Sequence, residues 1–260
     1  MSLAREHHDN HVVVGAGELY LIGPEGGERY LGESVSASVA VSTEYITIES
    51  ADGPVAERLV HQPVSVTRRI DLALRDMTAD NLALYILGEA GTDAQTAAEV
   101  SEEAIDNPRA GVWYQLGTGR QRPEGVWGID PAVTVATKKG TAAKQPLAGA
   151  NFAVDAQNGR IMFRTLTGSP DKALVTYTPL AGSLRRAVSS GVQVREFGLR
   201  YIEQASVGTG KRIFAPRCTI GPNGQMALKS RTTEQQLPLQ VEILEPAQGD
   251  ALVVYGPEGG

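Results

Sequence analysis

Two glycine-rich phrases invite a phosphate-binding reading. Gly15, Ala16 and Gly17 follow a run of valines, as in a dinucleotide fingerprint, whose third glycine would fall at position 20. That position is Tyr20, and ELYLIG continues as strand where a helix N-terminus would have to hold the phosphates. Gly208, Thr209, Gly210 and Lys211 mimic the end of a phosphate loop. Arg212 stands where a Ser or Thr must reach the magnesium ion, and IFAP after it is no helix. Neither phrase is read as a nucleotide site. Three of the four histidines, His7, His8 and His11, crowd the first eleven residues at a spacing that lets imidazoles chelate a metal. Nothing nearby frames them, and a loose polar tail accounts for them better. His61 stands alone in a strand pattern, and no G-x-S-x-G elbow exists to give it a nucleophile. Cys218 is the only cysteine; it excludes an intramolecular disulfide and a thiolate zinc knot, and reads as a small core residue. Acids are spread along the whole chain, and only their separation in space would make two of them a glycosidase pair. No HExxH, EF-hand loop or CxxC occurs. An enzyme is not expected, nor a cofactor or a resident metal.

Binding chemistry is the next class. Trp113 and Trp127 flank a turn rich in Gly and Arg, which suits a carbohydrate-binding module, although core packing accounts for both rings. Basic residues gather between 109 and 231, 18 against 6 acidic. The aromatics close to them, Phe197, Tyr201 and Phe214, each fit a core strand, so a groove that stacks bases is not expected. The acids have their own bias. Residues 1–100 hold 6 Lys and Arg against 16 Asp and Glu, while residues 101–260 hold 18 against 14. Chance on a solvated surface explains the asymmetry; so does a protein that assembles through unlike surfaces. No run of 18 apolar residues exists to span a bilayer as a helix, and MSLAREHHDNH lacks the apolar stretch of a signal peptide.

The elements that must position any site are mostly strands. Residues 33–49 alternate, with Val35, Ala37, Val39 and Val41 on one face and small uncharged residues on the other. Ile46 and Ile48 have the opposite parity, which predicts a bulge or bend near 42–45. A turn over 50–58, punctuated by Asp52, Gly53 and Pro54, leads into a second long strand. There Val64, Val66, Ile70, Leu72 and Leu74 share one face, and Thr67, Arg69, Asp71 and Arg75 share the other. A solvated face explains that mixed charge, and a lining or inter-subunit face explains it as well. Residues 78–87 predict a helix, capped by Thr78 and ended by Gly88 in the left-handed conformation. Leu82, Tyr85 and Ile86 form its apolar stripe, too extensive to lie free on a surface; it must wedge into the core or pack on a neighbour. Residues 89–110 read as an acidic loop or short helix that breaks at Asn107 and Pro108. ANFAVDAQNGRIMFRTL is a hairpin closed by Gly159, and KALVTYTP predicts a third strand of the same meander. With strands near 192–203, 211–220, 237–244 and 251–255, nine to twelve strands are expected with one helix. The pattern is mainly β, a β-sandwich or partial barrel with one flanking short α-helix.

Read in order, these phrases resemble a known family. GERYLGES at 27–34, the alternating strand after it, the turn SADGPVAER, VSVTRRIDLALRDM and TADNLALYILG resemble the opening half of a phage major tail tube protein. VDAQNGRIMF, the strand at 173–177 and VQVREFGLRYIEQ resemble the second half. The likeness covers about two thirds of the chain. It implies residues 1–11 as a flexible tail and residues 12–260 as a single tail-tube-like β domain, with an enlarged insertion around 95–145. The resemblance further implies a non-enzymatic virion protein. It would form rings, most often hexamers, that stack into the hollow viral tail through which double-stranded DNA leaves at ejection. A tape-measure protein, a baseplate initiator and a tail terminator would be its partners, and the host cytoplasm its place of assembly. The same fold serves tubes of contractile injection and secretion systems, and a baseplate component is a related alternative.

By position, the resemblance places Val35, Val39, Val41, Ile46, Ile48, Val64, Val66, Ile70, Leu72 and Leu74 on the strands of a lumenal barrel. Asp52, Gly53, Pro54, Glu57 and Arg58 become a ring-stacking loop, and Thr78, Leu82, Tyr85 and Ile86 the flanking helix. A lumen that lets DNA slide should be acidic, because a basic wall would hold phosphates through many summed contacts. Arg68 and Arg69 have opposite parity, so at most one of them should face inward.

Overall fold

The computed structural model describes residues 14–52, 55, 57–120, 122–189, 195–207 and 210–256. The first half of the chain forms β1 (Val14–Ile22), β2 (Glu28–Tyr30), β3 (Ser34–Glu49), β4 (Arg58–Leu74), the helix α1 (Ala79–Tyr85), β5 (Glu89–Gln95), β6 (Val100–Asp106) and β7 (Trp113–Gln115). Next come β8 (Thr134–Lys138), β9 (Gln145–Pro146), β10 (Phe152–Asp155), β11 (Arg160–Phe163) and β12 (Lys172–Tyr177). The last five are β13 (Gly182–Val188), β14 (Glu196–Val207), β15 (Arg212–Pro222), β16 (Leu237–Ile243) and β17 (Val253–Tyr255). The protein is mainly β, as its alternation predicts, with more strands than the nine to twelve expected. Two compact units divide it, residues 1–91 with 186–260 and residues 92–185. The segment around 95–145 lies in the second unit together with the hairpin at 152–163. The chain leaves the first unit along β5 and returns along β13, and these two strands pair.

The first unit is built on one antiparallel sheet in the order β2-β1-β14-β15-β16-β4-β3, with β17 paired to β15. Leu19 and Leu21 of β1 share a single buried cluster with Leu199, Ala215 and Cys218, and with Leu239, Val241, Ile70 and Leu72 from the far side of the sheet. Leu19 and Tyr201 also line one cavity with Val39 and Ile70 from the other end of the sheet order, so the sheet curls over its own apolar face as a partial barrel. β1 is the strand that the GAG phrase announced. A side chain at Gly17 would strike the Tyr201 ring, so this glycine makes room for an aromatic packed on the core.

Helix α1 begins as its sequence predicts: Thr78 is extended and its hydroxyl accepts from the Asn81 N–H, with Asp80 in the first turn. It rests on the core of its own unit through Leu82, Leu84 and Tyr85. Its end differs from expectation. Leu87, not Gly88, takes the positive φ. Gly88 is glycine for space, since a Cβ there would collide with the Val188 carbonyl. The buried residues of the helix are Asn81 and Ala83. Asn81 donates to the carbonyls of Leu31 (2.7 Å) and Asp76 (3.0 Å) and accepts from the Arg29 guanidinium (2.9 Å), tying three segments together.

The second unit is a small sandwich. The sheet β10-β11-β7 supplies Ile161 and Phe163, and the sheet β6-β12-β8-β9 supplies Ala173, Val175 and Tyr177, to one core. Gly159 takes the positive φ that closes the β10–β11 hairpin, as predicted. Two expectations are corrected. KALVTYTP does not continue that meander; β12 pairs with β6 and β8 in the other sheet. The polar stretch 89–110 is not a helix or a loop. It holds β5 and β6, because pairing with β12 satisfies the β6 backbone whatever its charge, and the break comes at Asn107 with its positive φ.

Candidate assembly surface

β3 and β4 pair over nearly their whole length, from Ser34 opposite Leu74 to Glu49 opposite Arg58. At about 3.3 Å per residue the 17 residues of β4 reach roughly 55 Å. β16 supports only the first part of this hairpin, pairing with Arg68–Leu74 of β4. Beyond that, among the described residues, the two strands run on as a ribbon with no third strand. The register shifts between Glu44 and Tyr45, where the parity change predicts a bulge. Past it, Tyr45 stacks on His61 with ring centroids 4.4 Å apart, and Thr47 Oγ1 lies 3.1 Å from His61 Nδ1.

The hairpin has two faces. On one, Ile70, Leu72 and Leu74 are buried in the core, while Val39, Val41, Val64 and Val66 on the same strands are exposed. These ten residues read from sequence therefore do not form one surface: three are core, and Val35, Ile46 and Ile48 with the four valines are exposed. The opposite face pairs Ser36 with Ala73, Ser38 with Asp71, Ala40 with Arg69, Ser42 with Thr67 and Glu44 with Ser65. β16 extends it with Gln240 beside Asp71 and Glu242 beside Arg69. Its charges are Glu44, Asp71 and Glu242 against Arg69, and Arg69 Nε lies 3.4 Å from Asp71. Arg68 pairs with Val41 and Ile243 on the other face, so the two arginines point opposite ways. Of the loop residues, Asp52, Glu57 and Arg58 are exposed at the hairpin tip, and Gly53 and Pro54 lie outside the described residues. Leu82, Tyr85 and the helix-capping Ile86 are half-buried, so the flanking helix is a structural wedge in its own unit.

The chemistry of this surface is that of a strand edge. β3 ends the sheet, so among the described residues its outer edge is unpaired along 16 residues. Proteins that must stay apart blunt such an edge with Lys, Pro or a short strand. β3 carries no Lys, Arg or Pro, and its only charges are Glu44 and Glu49. Sequence reasoning finds the alternation but not this edge, since the order of strands in the sheet has no local signature.

The polar groups of the second unit's cleft are engaged with one another. A cleft of about 510 Å³ in the second unit holds Glu103, Arg122 and Tyr177. Glu103 accepts from the Gly117 N–H at 3.0 and 2.9 Å and from the Tyr177 hydroxyl at 2.6 Å. Burial, reinforced by that carboxylate, holds the Tyr177 hydroxyl protonated well above the ordinary range. Arg122 pairs with Asp93 at 3.2 Å and the Ala94 carbonyl at 2.9 Å. This constellation latches strands and offers no free base. Gln95 does the same nearby, donating to the Gly128 and Leu180 carbonyls and accepting from the Trp127 N–H. Trp113 is exposed beneath the Arg160 guanidinium, 5.3 Å away, whereas the Trp127 indole nitrogen is shielded and its ring packs where a Gly182 side chain would go. His7, His8 and His11 lie outside the described residues. Among the described residues no group of three or more His, Cys, Asp or Glu could hold a metal ion, and no helix is long and apolar enough to cross a membrane.

Cys218 is fully buried, and its thiol reaches the Phe197 carbonyl at 3.0 Å. Burial pushes its pKa up to about 12. An unfolded thiol ionises near 8.5, so the unfolded chain loses this proton first, and stability falls as pH rises from about 8.5 towards 12. The expected outcome is a thiol inert to Ellman reagent in the native protein and fully reactive in urea, with Cys218→Ala flattening the alkaline loss of stability. Rapid native labelling at neutral pH would show that the core around β15 opens.

The fold and its surface thus define a mainly β protein with a long, unblunted edge hairpin. The chain belongs to the family described as Protein of unknown function UCP028589, which it matches over residues 13–251. No curated protein was found to match it.

Proposed function

We propose that this protein is a structural subunit that assembles with copies of itself into rings, stacked as the hollow tail tube of a bacteriophage. One observation carries the reading: the 16-residue edge of β3, free among the described residues, at the end of a ribbon whose apolar side chains are exposed on both faces. A lone two-stranded ribbon is marginal in water, and exposed apolar area of this extent marks an interface. Joining each β3 edge to the sheet of the next copy in a closed ring leaves no edge free. The small, polar face of β3, β4 and β16, with three acids to one arginine, then suits a lumen through which DNA slides. The tape-measure protein, baseplate initiator and tail terminator follow as partners by resemblance alone, as does the hexameric ring. A tube of a contractile injection or secretion system uses the same surface.

Negative-stain electron microscopy over a concentration series, with mass in solution, tests this. Rings with a hole wide enough for a DNA duplex, adding into tubes as concentration rises, are the expected result. A compact 27.6 kDa monomer at every concentration, even with tail initiator present, would sink the reading. It would turn attention to the exposed Trp113 as a carbohydrate platform.

A further inference from the structure

The two most exposed large apolar side chains among the described residues are Leu228, at 79%, and Val55, at 74%. They lie at opposite ends of the first unit. Val55 sits at the hairpin tip, and Leu59, four residues on, is also exposed. Leu228 sits on the loop of residues 223–236 that joins β15 to β16. That loop enters β16 at Leu237, opposite Leu74, the end of β4 farthest from the tip. The roughly 55 Å of β4 keeps the two patches apart within one molecule.

Their charges are opposite. Around the tip stand Glu49, Asp52 and Glu57 against Arg58. On the loop, Lys229 and Arg231 have no partner among the described residues, while Glu234 is already held by Arg75 at 2.8 Å. Nor is the loop loose. Thr233 N–H donates to Ser230 Oγ (3.0 Å), Gln235 donates to the Leu228 carbonyl (2.9 Å), and Tyr85 bridges the Gly224 carbonyl and the Met226 N–H. These bonds order the loop that holds an apolar side chain out in water just ahead of two cations, so little order remains to be imposed when a partner arrives.

We infer that the 223–236 loop is the receiving surface for the hairpin tip of another copy: Leu228 takes Val55 and Leu59, and Lys229 and Arg231 take the tip carboxylates. Because the two patches differ and face opposite ends, the contact is heterologous and propagates copy after copy along one axis without closing. The inference rests on the self-assembly reading and adds to it where rings meet.

The test is a charge reversal. Lys229→Glu with Arg231→Glu should leave rings intact and raise the protein concentration needed for stacking at least tenfold. Adding Glu49→Lys and Glu57→Lys to the same chain should restore tubes. Leu228→Ser, which leaves charge alone, should also shorten tubes, and intact rings report that each variant folds. Tubes of unchanged length from the loop double variant would overturn the loop's role and leave ring formation standing. Wild-type protein that forms no rings at any concentration, even with tail initiator present, would overturn the assembly reading, and the loop's role with it.

Discussion

Replacing residues 45–64 with Asn-Gly yields a protein that keeps both cores and no longer assembles. Glu44 and Ser65 are directly opposite in the ladder, so a two-residue turn can close the shortened hairpin without moving either strand. Everything β16 supports, including Ile70, Leu72 and Leu74, remains. What goes is the unsupported ribbon with Ile46, Ile48, Val55, Leu59, Val60 and Val64, all exposed in the isolated chain. Each such side chain moved from water into an interface contributes about 1.5–3 kcal/mol. Losing six of them, even after the cost of association is counted, should weaken self-association by more than about 4 kcal/mol, a factor of about 1,000. Size-exclusion chromatography with light scattering reads the mass, and circular dichroism reads the retained sheet. Rings of normal size from the shortened chain would place the ring contact elsewhere.

Asn81→Ala should unfold the first unit under conditions where the wild type is stable, with a loss of about 3–5 kcal/mol. Asn81 is 1% exposed and makes three hydrogen bonds. Truncation leaves the Leu31 and Asp76 carbonyls without their donor and removes the acceptor of Arg29, a guanidinium whose pKa is already lowered by burial. Each unmet buried group costs about 1–3 kcal/mol. Thr78→Ala removes only the cap bond at the start of the same helix, to the Asn81 backbone N–H, and should cost only about 1 kcal/mol. Both tryptophans, Trp113 and Trp127, belong to the second unit. The loss should therefore appear in the circular dichroism transition, with tryptophan fluorescence reporting the other unit. Equal effects of the two substitutions would show that Asn81 acts as a helix residue and not as a tie between segments.

Much of this scaffold is legible locally. The Thr78 cap, the Gly159 turn and the bulge after Glu44 each rest on chemistry within a few residues of the chain. The strands β5 and β6 are not legible that way, because their polar residues carry no apolar alternation and their strand state is imposed by β12 and β13. Gly88 misleads for a similar reason: its need is space beside Val188, a hundred residues away. The tie at Asn81 has no signal at all, since an Asn in the first turn of a helix reads as ordinary.

Residues 59–76 show where the division falls. The sequence alone determines that Val64, Val66, Ile70, Leu72 and Leu74 share a side of one long strand, because side chains alternate with a period of two. It also determines that the chain is mainly β and that a turn near 50–58 sends the strand back on its neighbour. Only the tertiary structure decides that the last three of those five residues are core and the first two are surface. β16 pairs with β4 no farther than Arg68, and the core stops where its third strand stops. Burial depends on what lies across the face and not on the pattern written along it, so the same alternation makes a hydrophobic core at one end of the hairpin and an uncovered apolar surface at the other.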